Sequence, residues 1–348
     1  MVSAELSERE KTVLRYVVHD FIDTAVPIGS RYISRRHEDE LSLSAASIRN
    51  VMSDLEYLGY INHPHISAGR VPTDLGYRFY LDALMQQEVV SDKDQKAIRE
   101  NLGGADESED LFRQCSKILS RISKQLCVVT SPQLSRGIFE KLELVQISSN
   151  RLMVIMSLQL GLVRTIMMEV ETEIPRDKLE GLSRFLNERL SGLSLEQIRE
   201  SFVDRVKDVH GEGSGLIRLF IDSVDKLFAP QRTEKLHIAG TDAIVEQPEF
   251  DDPKNFRGII ELINNEEIII HVLEKSGQPT GVRVTIGQEN DDRKLKDYSV
   301  ITTTYTVGNV EGRIGVIGPT RMNYARTIPL VDYVAKTISE MFSSNLRS

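Results

Sequence analysis

The stretch that decides the fold is Ser42-Leu-Ser-Ala-Ala-Ser-Ile-Arg-Asn-Val-Met-Ser-Asp-Leu-Glu-Tyr-Leu-Gly-Tyr60, which continues directly as Ile61-Asn-His-Pro-His-Ile-Ser-Ala-Gly-Arg-Val-Pro-Thr73. Ser44 is a good helix N-cap, its hydroxyl placed to accept from the amide near Ser47. Behind it Ile48, Val51, Met52, Leu55 and Leu58 recur at the spacing of an amphipathic helix. Gly59 can adopt the left-handed conformation that closes such a helix. At about 100° per residue, the opposite face carries Ala46, Asn50, Ser53 and Tyr57, with Arg49 on its flank. Small side chains beside one amide and one guanidinium let a helix lie deep in a major groove, where Asn pairs with adenine and Arg with guanine or phosphate. Ile61 then begins a strand, His63 to Arg70 forms a short polar tip, and Val71 returns. A helix followed by such a loop is the layout of a winged helix on a duplex.

The flanks agree with this layout. Ser7 and Glu10 have the spacing of a capping box for a helix from Ser7 to about Asp23, with Val13, Leu14, Val17, Val18 and Phe21 inward. Pro27 and Gly29 break the chain before a short helix, Ser30 to about Arg36, whose Tyr32 and Ile33 face inward. Thr73 caps a fourth helix that the pattern extends to about Gln87. The candidate DNA-contacting set is therefore Ser30, Arg31 and Arg35; then Ser44, Ala46, Ser47, Arg49, Asn50 and Ser53; and, at the tip, His65, Ser67, Gly69 and Arg70. Short loop residues with open amides and one Arg suit a phosphate backbone or a minor groove.

Charge argues against a purely electrostatic binder. The 348 residues carry a formal net charge of −9. The first 90 hold 13 Asp and Glu against 9 Lys and Arg, a net of −4. Any DNA contact must rest on local placement of Arg31, Arg35, Arg36, Arg49 and Arg70 rather than on a basic domain. The length implies two or three domains, and the 40% hydrophobic and 27% charged composition is that of a soluble globular chain. No apolar run is long enough to span a bilayer, and the polar N-terminus lacks a signal core. A cytoplasmic protein that makes no membrane contact is expected.

Downstream, residues 88–110 are polar and acidic with Gly103-Gly104, and read as a hinge or linker. A helix from about Glu109 to Leu126 follows. The apolar runs Leu142–Ile147, Leu152–Leu158 and Leu162–Val170, separated by turn residues, predict an antiparallel three-stranded meander. Helices are expected over Arg176–Leu190, Leu195–Val203 and Gly215–Phe228. After Pro230 the pattern predicts strands at Leu236–Ala239, Glu267–Leu273, Val282–Ile286, Tyr298–Val307 and Arg313–Ile317, with helices at Asn255–Ile263 and Tyr324–Phe342. The meander and its helices interrupt a larger α/β unit that resembles a sensor domain.

Three stretches carry a family resemblance: Pro27-Ile-Gly-Ser-Arg31, Ser44 to Gly59, and Pro64 to Tyr80, above all Ser67-Ala-Gly-Arg-Val-Pro-Thr-Asp-Leu-Gly-Tyr-Arg-Phe-Tyr80. With Gly240-Thr-Asp, Glu246-Gln-Pro-Glu-Phe250 and Gly312-Arg-Ile-Gly-Val-Ile-Gly-Pro-Thr-Arg-Met-Asn-Tyr-Ala-Arg326, they closely resemble the HrcA family of bacterial heat-inducible transcription repressors. The chain departs from that pattern at Ala45, Ser47 and Ile66. The resemblance implies a multidomain α+β protein. An N-terminal winged helix-turn-helix over residues 1–88 and a linker over 89–108 would be followed by a GAF-like α/β domain over 109–138 and 231–348, interrupted by an inserted α+β dimerisation domain over 139–230. It further implies a homodimer on an inverted-repeat operator in double-stranded DNA ahead of chaperone genes, kept active by a GroE-type chaperonin.

Other chemistries find little footing. His63 and His65 form an H-x-H pair without further ligands at suitable spacing, so no metal is expected. Gly312, Gly315 and Gly318 lack the context of a dinucleotide or phosphate loop. Cys115 and Cys127 fit neither a CxxC motif nor a zinc framework. No nucleophile elbow, phosphate loop or catalytic carboxylate pair is found, so neither an enzyme nor a cofactor is expected. The alternative kept open is a ligand-responsive transcription regulator that senses a metabolite through the GAF-like domain.

Overall fold

The computed structural model describes residues 6–64, 69–104, 108–132, 134–159, 162–207, 214–228, 236–275 and 281–344. It is a mixed helical and antiparallel-sheet protein.

The N-terminal unit contains α1 (Glu8–Thr24), α2 (Ser30–Arg36), α3 (Ala45–Tyr57), β1 (Ile61–Asn62), β2 (Val71–Pro72) and α4 (Asp74–Phe79). Both reciprocal hydrogen bonds of the Ser7–Glu10 capping box start α1. Ala25, in the left-handed region at φ 56°, ends it. Its buried Val13, Leu14, Val17 and Val18 meet Ile48, Val51, Met52 and Leu55 of α3 in one core, while Phe21 and Leu58 are only partly covered. The ladder pairs Ile61 with Pro72 and Asn62 with Val71. Thr73 caps α4, but the helix stops short of Gln87: after Phe79 the backbone widens into a π-helical turn over Tyr80–Leu84.

Much of the stretch read as a linker is helical. Ser91 caps α5 (Asp92–Gly103), and Ile98 and Leu102, one turn apart, are fully buried against α6 (Ser108–Ser123). Acidic density hides this two-residue apolar stripe from a composition reading.

The next elements are β3 (Leu126–Thr130), β4 (Phe139–Ser148), β5 (Arg151–Leu158), β6 (Val163–Glu169), α7 (Arg176–Leu190), α8 (Leu195–Val206), α9 (Ser214–Asp222), α10 (Val224–Phe228) and β7 (Leu236–Ala239). The chain ends with α11 (Thr241–Val245), α12 (Pro253–Ile263), α13 (Glu266–Lys275), β8 (Arg283–Ile286), β9 (Tyr298–Val307), β10 (Val310–Pro319) and α14 (Tyr324–Ser344). An antiparallel five-stranded sheet runs β7-β3-β10-β9-β8, and the meander is a separate sheet, β4-β5-β6. β3 and β7 are hydrogen-bonded neighbours, so the chain leaves the large sheet after β3, builds the meander and α7 to α10, and re-enters next to where it left. Both faces of the large sheet are covered. Cys127 and Val129 pack into the cluster that includes α6 and α14, whereas Leu126 and Val128 pack with Ile259, Leu262, Ile269 and Leu273 of α12 and α13.

Two local expectations fail here. The helix expected to reach Leu126 ends at Ser123. Lys124 turns left-handed at φ 60°, and Leu126 to Thr130 form a strand buried on both sides. The strand expected at Glu267–Leu273 is the helix α13. Its β-branched run mimics a strand, but Ile269 and Leu273, four apart, are the positions that go under the sheet.

Candidate nucleic-acid interface

The outer surface of α3 is built by its inner one. The Ser44 hydroxyl accepts from the Ser47 amide at 3.1 Å and caps the helix as expected. Ile48, Val51, Met52 and Leu55 turn inward. This leaves Ala46, Arg49, Asn50 and Ser53 exposed and Ser47 half-buried. The Ser53 hydroxyl donates to the Arg49 carbonyl at 3.1 Å, which keeps the hydroxyl flat on the helix. Tyr57, one turn on, is 91% exposed.

α2 is fixed against α3 through the Ser34 hydroxyl, which donates to the Leu43 carbonyl at 3.3 Å. Its Arg31 and Arg35 are exposed, whereas Ser30 is buried at the first helical position. Arg36 turns back onto α1, its Nε 3.2 Å from the fully buried Asp20 carboxylate and its guanidinium over the Tyr32 ring. His37 lies 2.9 Å from the other Asp20 oxygen and stacks on Tyr16 at 3.8 Å. A charge buried in a low-dielectric interior needs such partners. Arg36 thus serves the core of the unit, while Arg31, Arg35 and Arg49 have no ion pair or side-chain hydrogen bond among the described residues.

The ladder does not place Arg70 at a tip. Arg70 and Ile28 exchange two backbone hydrogen bonds, each 2.8 Å, in a bridge immediately before β2. The Arg70 guanidinium lies 2.8 Å from Glu56, with its side chain only 16% exposed. Glu56 also bonds His63. Gly69 is here for space, since a Cβ would sit 2.6 Å from three backbone atoms of Pro27 and Ile28. His65 and Ser67 lie outside the described residues. Glu56, the residue that organises this corner, had no sequence signal beyond being an acid on α3.

Among the described residues no cluster of three metal-ligating side chains occurs, and no helix is long and apolar enough to cross a membrane. Cys115 and Cys127 are buried free thiols, and burial pushes that of Cys127 up to about 12.

The model of the family described as HrcA protein C terminal domain matches residues 109–328. The chain belongs to the HrcA family. The heat-inducible transcription repressor HrcA of Chlorobium phaeobacteroides (strain BS1) is 42% identical over 355 residues, covering 99% of this chain and all of that protein. The HrcA of Prosthecochloris aestuarii (strain DSM 271 / SK 413) is also 42% identical, covering 99% of each. A crystal structure at 2.2 Å of a protein described only as hypothetical shares the fold, with a TM-score of 0.63, 23% identity, and coverage of 98% of this HrcA chain and 99% of that one. HrcA proteins are transcription repressors, not enzymes.

Proposed function

We propose that this chain is a transcription repressor of chaperone genes that binds an inverted-repeat operator as a homodimer. Residues 1–88 act as a winged helix-turn-helix whose α3 enters the major groove. The observation that carries this is the outer surface of α2 and α3. Ala46, Asn50 and Ser53 offer a low relief with one amide, and Arg31, Arg35 and Arg49 of these two packed helices are exposed with no ion pair among the described residues. Such a surface suits a major groove, and the relatives' description as heat-inducible transcription repressors supplies the biological direction. Ser44 and Ser47 present the helix start to phosphate, and His65, Ser67 and Gly69 belong to the wing. Ser30 and Arg70 support the unit from within rather than touching bases.

In the same reading, residues 89–108 join the reader to a GAF-like domain, 109–138 and 231–348, and residues 139–230 pair two copies. Pairing is supported by the meander's uncovered face. Val145, Ile147, Val163 and Met167 are 37%, 52%, 55% and 41% exposed, and Val145, Met153 and Met167 lie side by side across the three strands. The repressor works in the cytoplasm, and a GroE-type chaperonin maintains its active form.

Gel shifts on a chaperone-gene inverted repeat test the site. Arg49→Ala loses about 1–3 kcal/mol of operator binding per half-site with an unchanged melting curve. Arg70→Ala lowers the melting temperature by freeing Glu56. Full operator affinity in Arg49→Ala would sink the assignment of α3.

A further inference from the structure

The N-terminal unit is docked on the rest of the chain at points far apart in sequence. Arg78 of α4 donates from Nε to Glu289 at 2.7 Å, from Nη2 to the other Glu289 oxygen, and from Nη2 to the Val284 carbonyl on β8 at 2.8 Å. At the start of the same helix, Asp74 accepts from the Gln288 amide at 2.9 Å. Its carboxylate fills the place a Cβ on Gly287 would take, 2.1 Å away. At a third point, Arg321 donates to the Ile22 carbonyl near the end of α1 at 2.6 Å and is itself held by both oxygens of Glu249. Three separate points of attachment determine an orientation, whereas a tether alone leaves it free.

α4 cannot move without α3. The Thr73 hydroxyl donates to the Gly59 carbonyl at 2.6 Å, and its amide donates to the Tyr60 carbonyl at 3.0 Å. Gly76 presses so closely on Tyr60 that a Cβ would meet its carbonyl oxygen at 2.0 Å. Whatever holds α4 therefore holds the end of α3.

We infer that Arg78 and Glu289 are positioning residues that set the angle of α3 relative to the rest of each protomer, and thereby the spacing between operator half-sites that a pair of protomers accepts. This rests on the two-copy reading above. A dimer with rigidly held readers matches half-sites only at a separation that keeps both on one face of the duplex. Readers free to turn accept several separations and gain less from binding both.

The test uses the full-length protein and an inverted-repeat duplex enriched by the wild type from a random pool, remade with its spacer lengthened and shortened by one and two base pairs. The wild type prefers its own spacer by about tenfold over a two-base-pair change. Arg78→Glu and Glu289→Arg each cut that preference at least about threefold, while affinity for a duplex carrying one half-site stays within about twofold. The exchanged pair Arg78→Glu with Glu289→Arg recovers most of the preference, which a merely destabilised fold would not. If the wild type bound every spacing alike and no more tightly than the single half-site, the two-copy reading would fall and the joint with it; if it bound every spacing alike but more tightly than the single half-site, the joint alone would fall. If the wild type discriminated and Arg78→Glu discriminated equally, the joint alone would fall.

Discussion

The salt dependence of operator binding follows from a count of unengaged cations. Of the nine Lys and Arg in the first 90 residues, Lys11 is paired with Glu8, Arg36 with Asp20 and Asp23, Arg70 with Glu56, and Arg78 with Glu289 and Asp82. Arg15 donates to the Tyr16 hydroxyl and lies over its ring. Among the described residues Arg31, Arg35 and Arg49 of α2 and α3, and Arg9 in the first turn of α1, have no ion pair. Residues 65–68 add no Lys or Arg. In the proposed dimer two copies would therefore present about six guanidiniums to phosphate, and each neutralised phosphate contributes about −0.9 to the slope of log K against log salt, giving about −5. Arg9, if it reaches the backbone, raises the magnitude to about 7. Between 50 and 200 mM salt a slope of −5 costs roughly a thousandfold in affinity. Fluorescence anisotropy on a labelled operator across that range measures the slope directly. Arg49→Ala removes one cation from each copy and brings it to about −3.5. A wild-type slope near −10 would mean that cations now paired with Glu and Asp turn to the DNA instead. An unchanged slope together with unchanged affinity in Arg49→Ala would remove α3 from the interface.

Three further outcomes test the packing. Gly76→Ala and Gly181→Ala make the same change on α4 and α7, and helix propensity alone favours alanine by about 1 kcal/mol at each. At Gly181 nothing lies within 4 Å and that gain is kept. At Gly76 the new Cβ overlaps the Tyr60 carbonyl, and overpacking of about 1–3 kcal/mol or more reverses the sign, so thermal melts should move in opposite directions. The Tyr77 hydroxyl is buried with no hydrogen-bond partner among the described residues, so Tyr77→Phe stabilises by about 1 kcal/mol; a loss of that size in denaturant titrations would reveal a partner. Burial raises the carboxyl of Glu289, but hydrogen bonds from Arg78 and the Ile286 amide, with the charge of Arg78, outweigh it and hold the group below the usual Glu value. A depressed folded value means the stabilisation is complete above the unfolded value of about 4.3 and is lost as pH falls through the folded one. The stability gap between wild type and Glu289→Gln should therefore be constant near neutral pH and close below about pH 4; a gap that widened in acid would contradict the sign.

Short-range signals are legible in the chain itself. The Ser7–Glu10 box, the Ser44 and Thr73 caps, the inward stripe of α3 and the meander all depend on contacts within a few residues, where caps and periodicity act directly. The same locality explains the misses. Ile269 and Leu273 read as strand until a sheet covers them, and Leu126 reads as a helix end until β7 and β10 flank its strand on both edges. Ile98 and Leu102 are too few to stand out from the acids around them.

For the candidate site the division is similar. The outward set of Ala46, Arg49, Asn50 and Ser53 followed from the helical repeat alone. The role of each cation did not, because a guanidinium is engaged or free according to which carboxylate the fold brings to it. Arg70 looked like a tip residue and is held by Glu56, fourteen positions earlier. Arg78 carried no signal, since its partner Glu289 is 211 positions away. The sequence by itself determined which helix faces outward and which small residues line it, because those depend on a period of about 3.6 residues. Only the tertiary structure decided which arginines stay unengaged and what holds the helix at its angle, because pairing of distant charges depends on chain closure and packing that no local pattern records.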